Sequence, residues 1–445
     1  MQKIFDVVLI GAGPAAVAAL AALPKGLSAA IVTGTGAAGG KKMSGIHAKI
    51  RATAWERREP PGIARPLPFK ESSRGMLCDS AVIGGLANYW GQQFIHYQED
   101  DTWSLDIFSS YEGYLQTCSK VETLFTCSGG QDNKHKVSPL TDTYVTHTPR
   151  LLTGTKAEPN AGLVAMRNCF TLLAETHGAR LYSAAAVLLK STGAHVCIHL
   201  ADGTKLTARR VVLAAGVVGS LRLTMASCAE VQSVRLTDHA PYMFYLLDNH
   251  RIVKRVCDDT LEHFNSLSLE RVEENRVRLF ASFYRMSQAP IGLTLAALGL
   301  PPLFPRTCPP KIVDLITPIQ VWTAISQMQY QVDRNAPWAC LISRPELSGD
   351  EELQRFQDWL STQGFILRRS QTLPGYGFHY HAGEISLDGA HFQNSPDFIR
   401  ERFQDRVLCI DASILTEIGV RPLTLTAMAS AYEAIERMHW NNGEQ

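Results

Sequence analysis

The segment IFDVVLIGAGPAAVAALAAL occupies residues 4–23 and sets the first expectation for the fold. Ile4 to Ile10 is a β-branched, apolar run of strand length, and an Ala/Leu-rich helix reaching about Leu23 follows it after a glycine turn. A second apolar run, Ser28 to Val32, has the length of another strand. Together these elements predict the start of a strand–helix–strand unit.

The turn between strand and helix has the G-x-G-x-x-A spacing of a dinucleotide-binding loop. Gly11 allows a tight turn, Gly13 lets the backbone approach a pyrophosphate, and Ala16 permits close packing of the helix on the strand. The helix N-terminus beside Pro14 supplies amide donors and the positive end of a dipole. We therefore expect Gly11, Gly13, Pro14 and Ala16 to contact a dinucleotide.

Two other segments refine this expectation. Thr33 and Gly34 stand where an acidic residue usually holds the adenosine ribose. Either another group holds the ribose or the site is weakened, and Thr33 stays a predicted cofactor contact. Residues 179–216 alternate as short strands and finish in a buried strand with an Ala-Ala-Gly exit. This order resembles two-dinucleotide-domain flavoproteins, which implies that Ala215 and Gly216 close over FAD.

Length and composition narrow the class of protein. The 445 residues exceed the ~100 to 200 of one domain, so two or more folding units are expected. Lys and Arg number 43 against 42 Asp and Glu, a net charge of +1 that argues against a nucleic-acid partner. Ten cysteines without a CxxC pair argue against a zinc ribbon or a dense disulfide framework. We expect no metal site and reduced thiols in a cytoplasmic protein.

The apolar stretches do not have the features of membrane or targeting segments. The N-terminal run contains Asp6 and ends in a glycine turn, which is unlike a signal peptide. Ala289 to Phe304 is cut by prolines and is shorter than the ~18 to 20 residues of a membrane span. No membrane span is predicted. We interpret this stretch as a lid or pocket wall, with interfacial membrane contact as the alternative.

Three further segments carry a more specific resemblance. Residues 84–91 read GGLANYWG, residues 236–239 read LTDH, and VLCIDASIL at residues 407–415 precedes PLTLTAMA at 422–429. With the N-terminal turn, these segments resemble the glucose-methanol-choline (GMC) family of FAD-dependent oxidoreductases. The resemblance implies FAD as cofactor and a small molecule as substrate.

The resemblance also implies which residues contact FAD. Paired glycines allow the backbone to approach a flat ring, and an asparagine can hydrogen-bond the flavin edge or the substrate. An aspartate after the late strand contacts the diphosphate or ribitol, and the closing helix aims its first amides at flavin N1 and C2=O. The implied contacts are Gly84, Gly85, Asn88, Trp90, Asp411, Ala412, Pro422, Leu423 and Thr424.

For the fold, the resemblance implies an α/β protein. An FAD-binding Rossmann-like domain of the glutathione-reductase type is expected from discontinuous segments, followed by an α+β substrate domain built on an antiparallel sheet. The FAD-binding domain is expected from residues 1–98, 160–235 and 377–445, and the substrate domain from residues 236–376. A helical and loop insertion is expected at 99–159, with the helix in Trp103 to Cys127 and a surface loop after it.

The family removes a proton from an alcohol with a histidine and passes hydride to flavin N5. Here the corresponding segment, residues 375–384, reads GYGFHYHAGE. An imidazole with a pKa near ~6.5 accepts a proton close to neutral pH. If the segment is extended, His379 and His381 share a face, so either is a candidate base. Glu384 is interpreted as a partner of one imidazole or as an alternative acid or base.

The second catalytic position of the family, a His or Asn before the closing helix, is occupied here by Arg421 and Pro422. Proline offers no polar side chain. Arg421 either stabilises an anion or is a surface residue at the helix start. The lost polar group motivates one alternative to oxidation, a redox-neutral isomerase, cyclase or lyase. The missing ribose acid at Thr33 motivates another, a degenerate flavoprotein with a binding role.

The sequence of the predicted substrate domain says less about function. Between residues 239 and 376, alternating strand-like runs and one charged helix, Gly349 to Gln363, predict an antiparallel sheet that forms one wall of the pocket. The runs are rich in Phe, Tyr, Met and Trp, which favours a hydrophobic substrate. No motif sets the oligomeric state or the electron acceptor.

Overall fold

The computed structural model describes most of the chain. The described residues are 3–34, 67–70, 76–77, 79–89, 93–99, 101, 107–128, 134–136, 144–147, 151–155, 165–239, 241–248, 265–274, 276–284, 316–336, 338–344, 346, 349–371, 380–387, 391–415 and 417–440.

Twenty-three strands lie in the described residues. They are β1 (Ile4–Ile10), β2 (Ala29–Val32), β3 (Leu67–Pro68), β4 (Met76–Leu77), β5 (Phe125–Ser128), β6 (Lys134–Lys136), β7 (Tyr144–His147), β8 (Leu151–Thr155), β9 (Arg180–Tyr182), β10 (Ala186–Ser191), β11 (Val196–Leu200) and β12 (Lys205–Leu213). The remainder are β13 (Ser233–His239), β14 (Tyr242–Asp248), β15 (Asn265–Glu273), β16 (Arg276–Tyr284), β17 (Ile316–Thr323), β18 (Gln327–Asp333), β19 (Ala339–Ser343), β20 (Gly364–Gln371), β21 (Tyr380–Ser386), β22 (Phe392–Asn394) and β23 (Val407–Cys409).

Seven α-helices lie in the same ranges: α1 (Pro14–Ala22), α2 (Tyr111–Glu122), α3 (Ala165–Thr176), α4 (Gly216–Ser227), α5 (Glu351–Gln363), α6 (Ser395–Arg402) and α7 (Thr424–Glu436). Two helices start at polar caps. The Ser110 side chain accepts from the Gly113 amide at the start of α2, and Asp350 accepts from the Leu353 amide at the start of α5.

The first sheet has the order β10-β11-β12-β1-β2-β9, and β23 pairs with the C-terminal half of β12. Strands β23, β12, β1, β2 and β9 run parallel to one another. Their carboxyl ends therefore meet at one edge, which we call the carboxyl edge. Because α1 and α4 follow β1 and β12 directly, both helices begin on this side of the sheet.

Both faces of the first sheet are buried, which explains the continuous apolar run of β1. Val8 and Ile10 belong to a core that includes α4 and the second sheet. Val7 and Leu9 belong to the core on the opposite face, where α1, α3 and α7 pack. Tyr114 brings α2 into that second core.

Two larger antiparallel sheets and two two-stranded sheets, β3-β4 and β5-β8, complete the described architecture. The second sheet has the order β19-β18-β13-β21-β22 and packs on α4. The third has the order β20-β14-β17-β16-β15-β7-β6. One of its faces is covered by α5, which buries Leu353, Phe356 and Leu360 against Phe244 and Leu279.

The opposite face of the third sheet, here called its inner face, meets the first half of the chain. Gln93 donates through Nε2 to the Ser268 hydroxyl over 2.9 Å, and its Oε1 accepts from the Ser282 hydroxyl over 3.3 Å. Phe280 and Trp322 pack in a small cluster with Val420, which precedes α7. The inner face is thus held against the segment that leads into the closing helix.

The structure is an α/β fold with several sheets, which confirms the predicted fold class at that level. The helix predicted within Trp103 to Cys127 is limited to α2. The stretch 128–158 was expected to be a loop, but it contains β6, β7 and β8. β7 finds its hydrogen-bond partners on β15, which the local sequence does not reveal. The proposed lid at 289–304 lies outside the described residues.

Among the described helices, none combines the length and apolar character that crossing a membrane requires.

Candidate functional site

The glycine turn after β1 forms the centre of the carboxyl edge. Gly11 has φ +124°, a conformation that favours glycine, and its amide donates to the Val32 carbonyl over 3.0 Å. A Cβ at this position would lie 2.0 Å from the Ala214 carbonyl oxygen. Gly11 is therefore required because β1 and β12 end so close together.

Gly13 is placed differently. Its backbone is extended, with φ −88°, and a Cβ there would lie 3.9 Å from the Cα of Gly85, an ordinary contact. Gly85 has φ +56°, and its own Cβ would lie 3.0 Å from the Cα of Gly13. The Gly84 amide donates to the Ala12 carbonyl over 2.8 Å. The structure thus brings together the two glycine segments that contain predicted cofactor contacts.

The first helical positions of α1 complete this part of the edge. Gly13 is the N-cap, no side chain caps the helix, and Pro14 occupies its first turn. Ala16 is fully buried between helix and sheet. Because the first-turn amides of a helix have no acceptor within the helix, this terminus offers donors to an anion.

Asn88 closes the loop after the paired glycines. Its Nδ2 donates to the Ile83 carbonyl over 3.1 Å and to the Gly85 carbonyl over 2.9 Å. A Cβ at Gly84, where φ is +96°, would lie 2.8 Å from Asn88 Oδ1. The NH2 group of the Asn88 side chain is thus used within the loop. Trp90 lies outside the described residues.

At the end of β2, Thr33 is buried. Its amide donates to the Tyr182 carbonyl over 2.9 Å, and its hydroxyl lies 3.5 Å from the same oxygen. A Cβ at Gly34 would lie 2.7 Å from the Cβ of Ala81. The position of the missing ribose acid is therefore packed between the end of β9 and the segment that leads to the paired glycines.

The predicted contacts Ala215 and Gly216 lie at the start of α4. Ala215 is the N-cap and Gly216 has φ +75°. The amide of Ala214 donates to the Ile10 carbonyl over 2.8 Å, which fixes this exit beside the glycine turn. The Ala-Ala-Gly exit therefore lies at the carboxyl edge, next to Gly11.

Asp411 is 2% exposed and is satisfied by side chains of the protein. Its Oδ1 accepts from the Ser413 amide over 3.0 Å and from the Ser413 hydroxyl over 2.6 Å. Its Oδ2 accepts from the Ser220 hydroxyl of α4. Burial raises the pKa of Asp411, and these hydrogen bonds lower it again in part. The carboxylate caps the short 3-10 turn Ala412–Ile414 and ties it to α4.

A second carboxyl lies close to α4. A Cβ at Gly219 would lie 3.3 Å from Asp79 Oδ2. Burial raises the pKa of Asp79 to about 6, the charge of Arg222 opposes this rise, and the carboxylate of Asp411 adds to it. Sequence reasoning missed Asp79 because no motif contains it.

The closing helix begins at Thr424 after Pro422 and Leu423. Leu423 is its N-cap and provides no side-chain cap, so the first-turn amides resemble those of α1. The Thr426 hydroxyl lies 2.9 Å from the Tyr114 hydroxyl, which in turn accepts from the Tyr97 amide over 2.9 Å. The helix start is thus held by α2 and by the segment around residue 97.

Arg421 is 3% exposed, so its prediction as a surface residue is wrong. Its Nε donates to Glu270 Oε1 over 2.7 Å, and Nη2 donates to Glu270 Oε2 over 3.0 Å. Its Nη1 donates to Asp101 Oδ2. Burial lowers the pKa of Arg421 to about 10. The guanidinium is therefore paired with two carboxylates of the protein, which argues against its alternative role as a free anion-binding group.

The two candidate bases lie at the border of the described residues. His379 is outside them, and of His381 only the backbone is described: it lies in β21 opposite Thr237 of β13. Glu384 is exposed and lies opposite Arg235. The described residues contain no group of three or more His, Cys, Asp or Glu side chains that could hold a metal ion.

Polar and aromatic side chains line the inner face of the third sheet. The Tyr284 hydroxyl donates to Gln320 Oε1 over 2.5 Å. Trp322 Nε1 donates to the His239 carbonyl over 3.2 Å, which links this sheet to β13 of the second. The sequence predicted the aromatic character of the face but not these hydrogen bonds.

Comparisons with known proteins show which solved structures have a similar architecture. By sequence, no protein-family model and no curated protein matches the chain. By structure, it is similar to pyridoxine 4-oxidase from Mesorbium loti, with 12% identity and a TM-score of 0.57 over 97% of this chain and 98% of that one. It is also similar to two arginine variants of formate oxidase from Aspergillus oryzae RIB40, with TM-scores of 0.60 and 0.58, each at 12% identity over 98% of both chains. Both enzymes are GMC-family FAD oxidoreductases.

The chain has the fold of the GMC oxidoreductases. The predicted resemblance is therefore confirmed for the fold, from the first strand to the closing helix. The carboxyl edge has parts that fit a dinucleotide such as FAD: the glycine turn at Gly13, and the N-termini of α1 and α4, which have no side-chain caps.

Proposed function

We propose that the chain is an FAD-dependent oxidoreductase that takes a proton and a hydride from a mostly apolar small molecule, an alcohol or an activated C–H compound. One observation carries the proposal: the Gly13 turn and the paired glycines Gly84 and Gly85 meet at the carboxyl edge of a parallel sheet, and α7 packs on the helix that follows this turn. In open α/β sheets, ligands bind outside the carboxyl ends of the strands.

In this proposal the first sheet and its helices form a Rossmann-like, glutathione-reductase-type domain from residues 1–98, 160–235 and 377–445. The antiparallel substrate domain comprises residues 236–376, with residues 99–159 as an insertion. The parallel order of β12, β1, β2 and β9 supports the dinucleotide part, and the two antiparallel sheets support the substrate part.

The chain's own groups would bind FAD in two places. The amides at the start of α1, with Gly11, Gly13 and Pro14, would hold the diphosphate. The start of α7, with Leu423 and Thr424, would stabilise the negative charge that reduction adds to the ring. When bound, FAD supplies the hydride acceptor. Asp411 orders the Ala412–Ile414 turn rather than reaching the cofactor with a free oxygen.

The proton is assigned to a histidine imidazole, at His379 or at His381. Residues 380–386 form β21, whose neighbour β13 links to the third sheet through the bond between Trp322 and the His239 carbonyl. Of the two candidates, His381 lies on this strand. The neutral imidazole nitrogen accepts the hydroxyl proton of the substrate, and the protonated ring then returns it to solvent.

The character of the substrate follows from the inner face. Phe280 and Trp322 are buried on that face in a cluster with Val420, and the Tyr284 hydroxyl donates to Gln320 Oε1. Arg421 already pairs with Glu270 and Asp101, so it offers no free cation to a substrate carboxylate. We therefore expect neutral, mostly apolar substrates to be preferred over anions.

The first test is spectroscopic. Protein purified gently under non-denaturing conditions should carry FAD, and an anaerobic panel of apolar alcohols should bleach its visible absorbance. Replacing the catalytic histidine, by His379→Ala or His381→Ala, should slow bleaching by ~100- to 10,000-fold, whereas His195→Ala, in the β10–β11 hairpin, should not. Protein that neither retains nor rebinds FAD contradicts the proposal.

A second candidate uses the same site without net oxidation, as an isomerase, cyclase or lyase. The observation that favours it is the pairing of Arg421: together with Pro422, it leaves no free polar side chain at the family's second catalytic position. A product of unchanged mass, formed without oxygen consumption or lasting bleaching, would select this candidate over oxidation.

A further inference from the structure

Neighbouring residues of β15 face opposite sides of the third sheet. Arg271 points toward α5, where Nη1 donates to Glu352 Oε1 over 2.6 Å. Glu270 points toward the inner face and accepts both hydrogen bonds of the Arg421 guanidinium. One strand thus carries a partly buried ion pair to α5 on one face and a buried ion pair to the segment before α7 on the other.

The pair on the inner face includes a third member. Asp101 Oδ2 accepts from Arg421 Nη1 and also from the Gln98 amide over 2.7 Å. The side chains of Arg421, Asp101 and Glu270 are 4%, 7% and 7% exposed. We call these three residues the ion triad. It joins the third sheet, the segment 97–101 and the residue three positions before α7.

The same segment contacts the start of α7 by a second route. The Tyr97 hydroxyl donates to the Arg421 carbonyl over 3.4 Å, and the Tyr97 amide donates to Tyr114, whose hydroxyl meets Thr426. Farther along the helix, Thr117 donates to Glu433 over 2.8 Å. The triad is therefore the end of a continuous polar network that fixes the helix start from two sides.

The geometry points to the ion triad as the positioning device of the α7 N-terminus, which couples the substrate-side sheet to the end of the helix that faces the flavin. Arg421 is in this role a positioning residue and touches neither substrate nor cofactor. The statement about the flavin rests on the proposed function, whereas the statement about the helix does not.

The ion triad can position the helix start because Arg421 binds Glu270 through two hydrogen bonds. A planar guanidinium that binds one carboxylate through two parallel bonds fixes direction as well as distance, which a lysine cannot do. Removing one charge from a buried pair leaves the other uncompensated, so the local structure must open or rearrange. Because Arg421 is followed by Pro422, whose φ is fixed, a shift of the guanidinium is passed on to the first turn of the helix.

The test compares Glu270→Gln with Glu352→Gln, the matched variant of the other ion pair on β15. Hydrogen exchange of the cofactor-free chain is followed at the amides of residues 427–430, the first hydrogen-bonded turn of α7. Glu270→Gln should speed this exchange by about tenfold, whereas Glu352→Gln should leave it within about twofold. Asp101→Asn, which removes one hydrogen-bond acceptor at the edge of the triad, gives a milder variant if Glu270→Gln does not fold.

Exchange that is unchanged in Glu270→Gln and Asp101→Asn, or raised equally throughout the chain, overturns the proposal. In the FAD-loaded protein, Glu270→Gln should also change the ratio of reduced to oxidised flavin at fixed potential by about fivefold, or ~20 mV, and Glu352→Gln should not. Faster exchange with an unchanged potential overturns the coupling to the flavin. A wild-type chain that takes up no FAD refutes the proposed function alone, and the exchange result still decides the role of the triad.

Discussion

Gly11 and Gly13 belong to one motif, yet the structure predicts opposite consequences for replacing them with alanine. At Gly11 an added Cβ would lie 2.0 Å from the Ala214 carbonyl oxygen, at a φ of +124°. The unfavourable backbone and the forced separation of β1 and β12 together should cost about 3 kcal/mol of unfolding free energy. At Gly13 the nearest atom would be 3.9 Å away and φ is ordinary, so stability should change by less than ~1 kcal/mol.

For FAD affinity we expect a clear effect at Gly13, the position where the effect on stability is small. In Gly13→Ala the new methyl group occupies the open side of the turn, where the proposed diphosphate approaches. The loss of one amide–phosphate hydrogen bond, worth about 1.5–3 kcal/mol, corresponds to ~10- to 100-fold in Kd.

Urea unfolding of the cofactor-free chain measures the first effect, and fluorescence titration with FAD measures the second. Gly349→Ala, where a Cβ meets nothing within 4 Å, is the control for both. A Gly13→Ala protein that folds normally and binds FAD as tightly as wild type would refute the reasoning about the diphosphate. An unchanged stability of Gly11→Ala would refute the reasoning about the strand ends.

Three further outcomes follow from buried groups. The folded-state pKa of Asp79 is raised to about 6, so its contribution to stability is present at low pH and is lost as pH rises through 6. In urea unfolding of the cofactor-free chain, the free energy of unfolding should therefore decline between pH 5 and pH 8. Asp79→Asn should remove about 1 kcal/mol of this decline. Ser220→Ala removes a hydrogen bond to the buried carboxyl of Asp411 and should cost about 2 kcal/mol at pH 7 by urea unfolding. Phe356→Ala opens a cavity between α5 and the third sheet and should cost about 4 kcal/mol, and a loss below 1 kcal/mol would contradict the packing described.

The sequence predicted the parts of the site that depend on local backbone. The strand before Gly11, the turn and the helix after it lie within a few residues, and each needs particular residue types. Partners that only tertiary structure brings together could not be predicted in this way. Arg421 meets Glu270 and Asp101 across separations of 151 and 320 residues, and nothing near Arg421 indicates that it is buried.

The hydrogen-bonding roles of motif residues were also not predictable from the sequence. Asn88 belongs to a recognisable segment, but its amide group hydrogen-bonds its own loop. Asp411 also stands where the resemblance places it, yet serine hydroxyls occupy both of its oxygens. A motif specifies which residue stands at a position, whereas the hydrogen-bond partners of that residue depend on elements distant in the chain. β7 shows the same for secondary structure, since one of its two neighbours is β15, which is more than 100 residues away in the chain.

The pairing of β12 with β23 has a consequence for synthesis. These strands are separated by about 190 residues, which a ribosome needs roughly 10–40 s to add. During that time the nascent chain contains the parallel core of the first sheet. It still lacks β23, which pairs with the C-terminal half of β12, and α7, which packs on α1. Unpaired strand edges and uncovered apolar faces are sites of aggregation. Production of this protein should therefore benefit from slower synthesis at low temperature or from added chaperones, and its yield should be sensitive to changes in the last two elements.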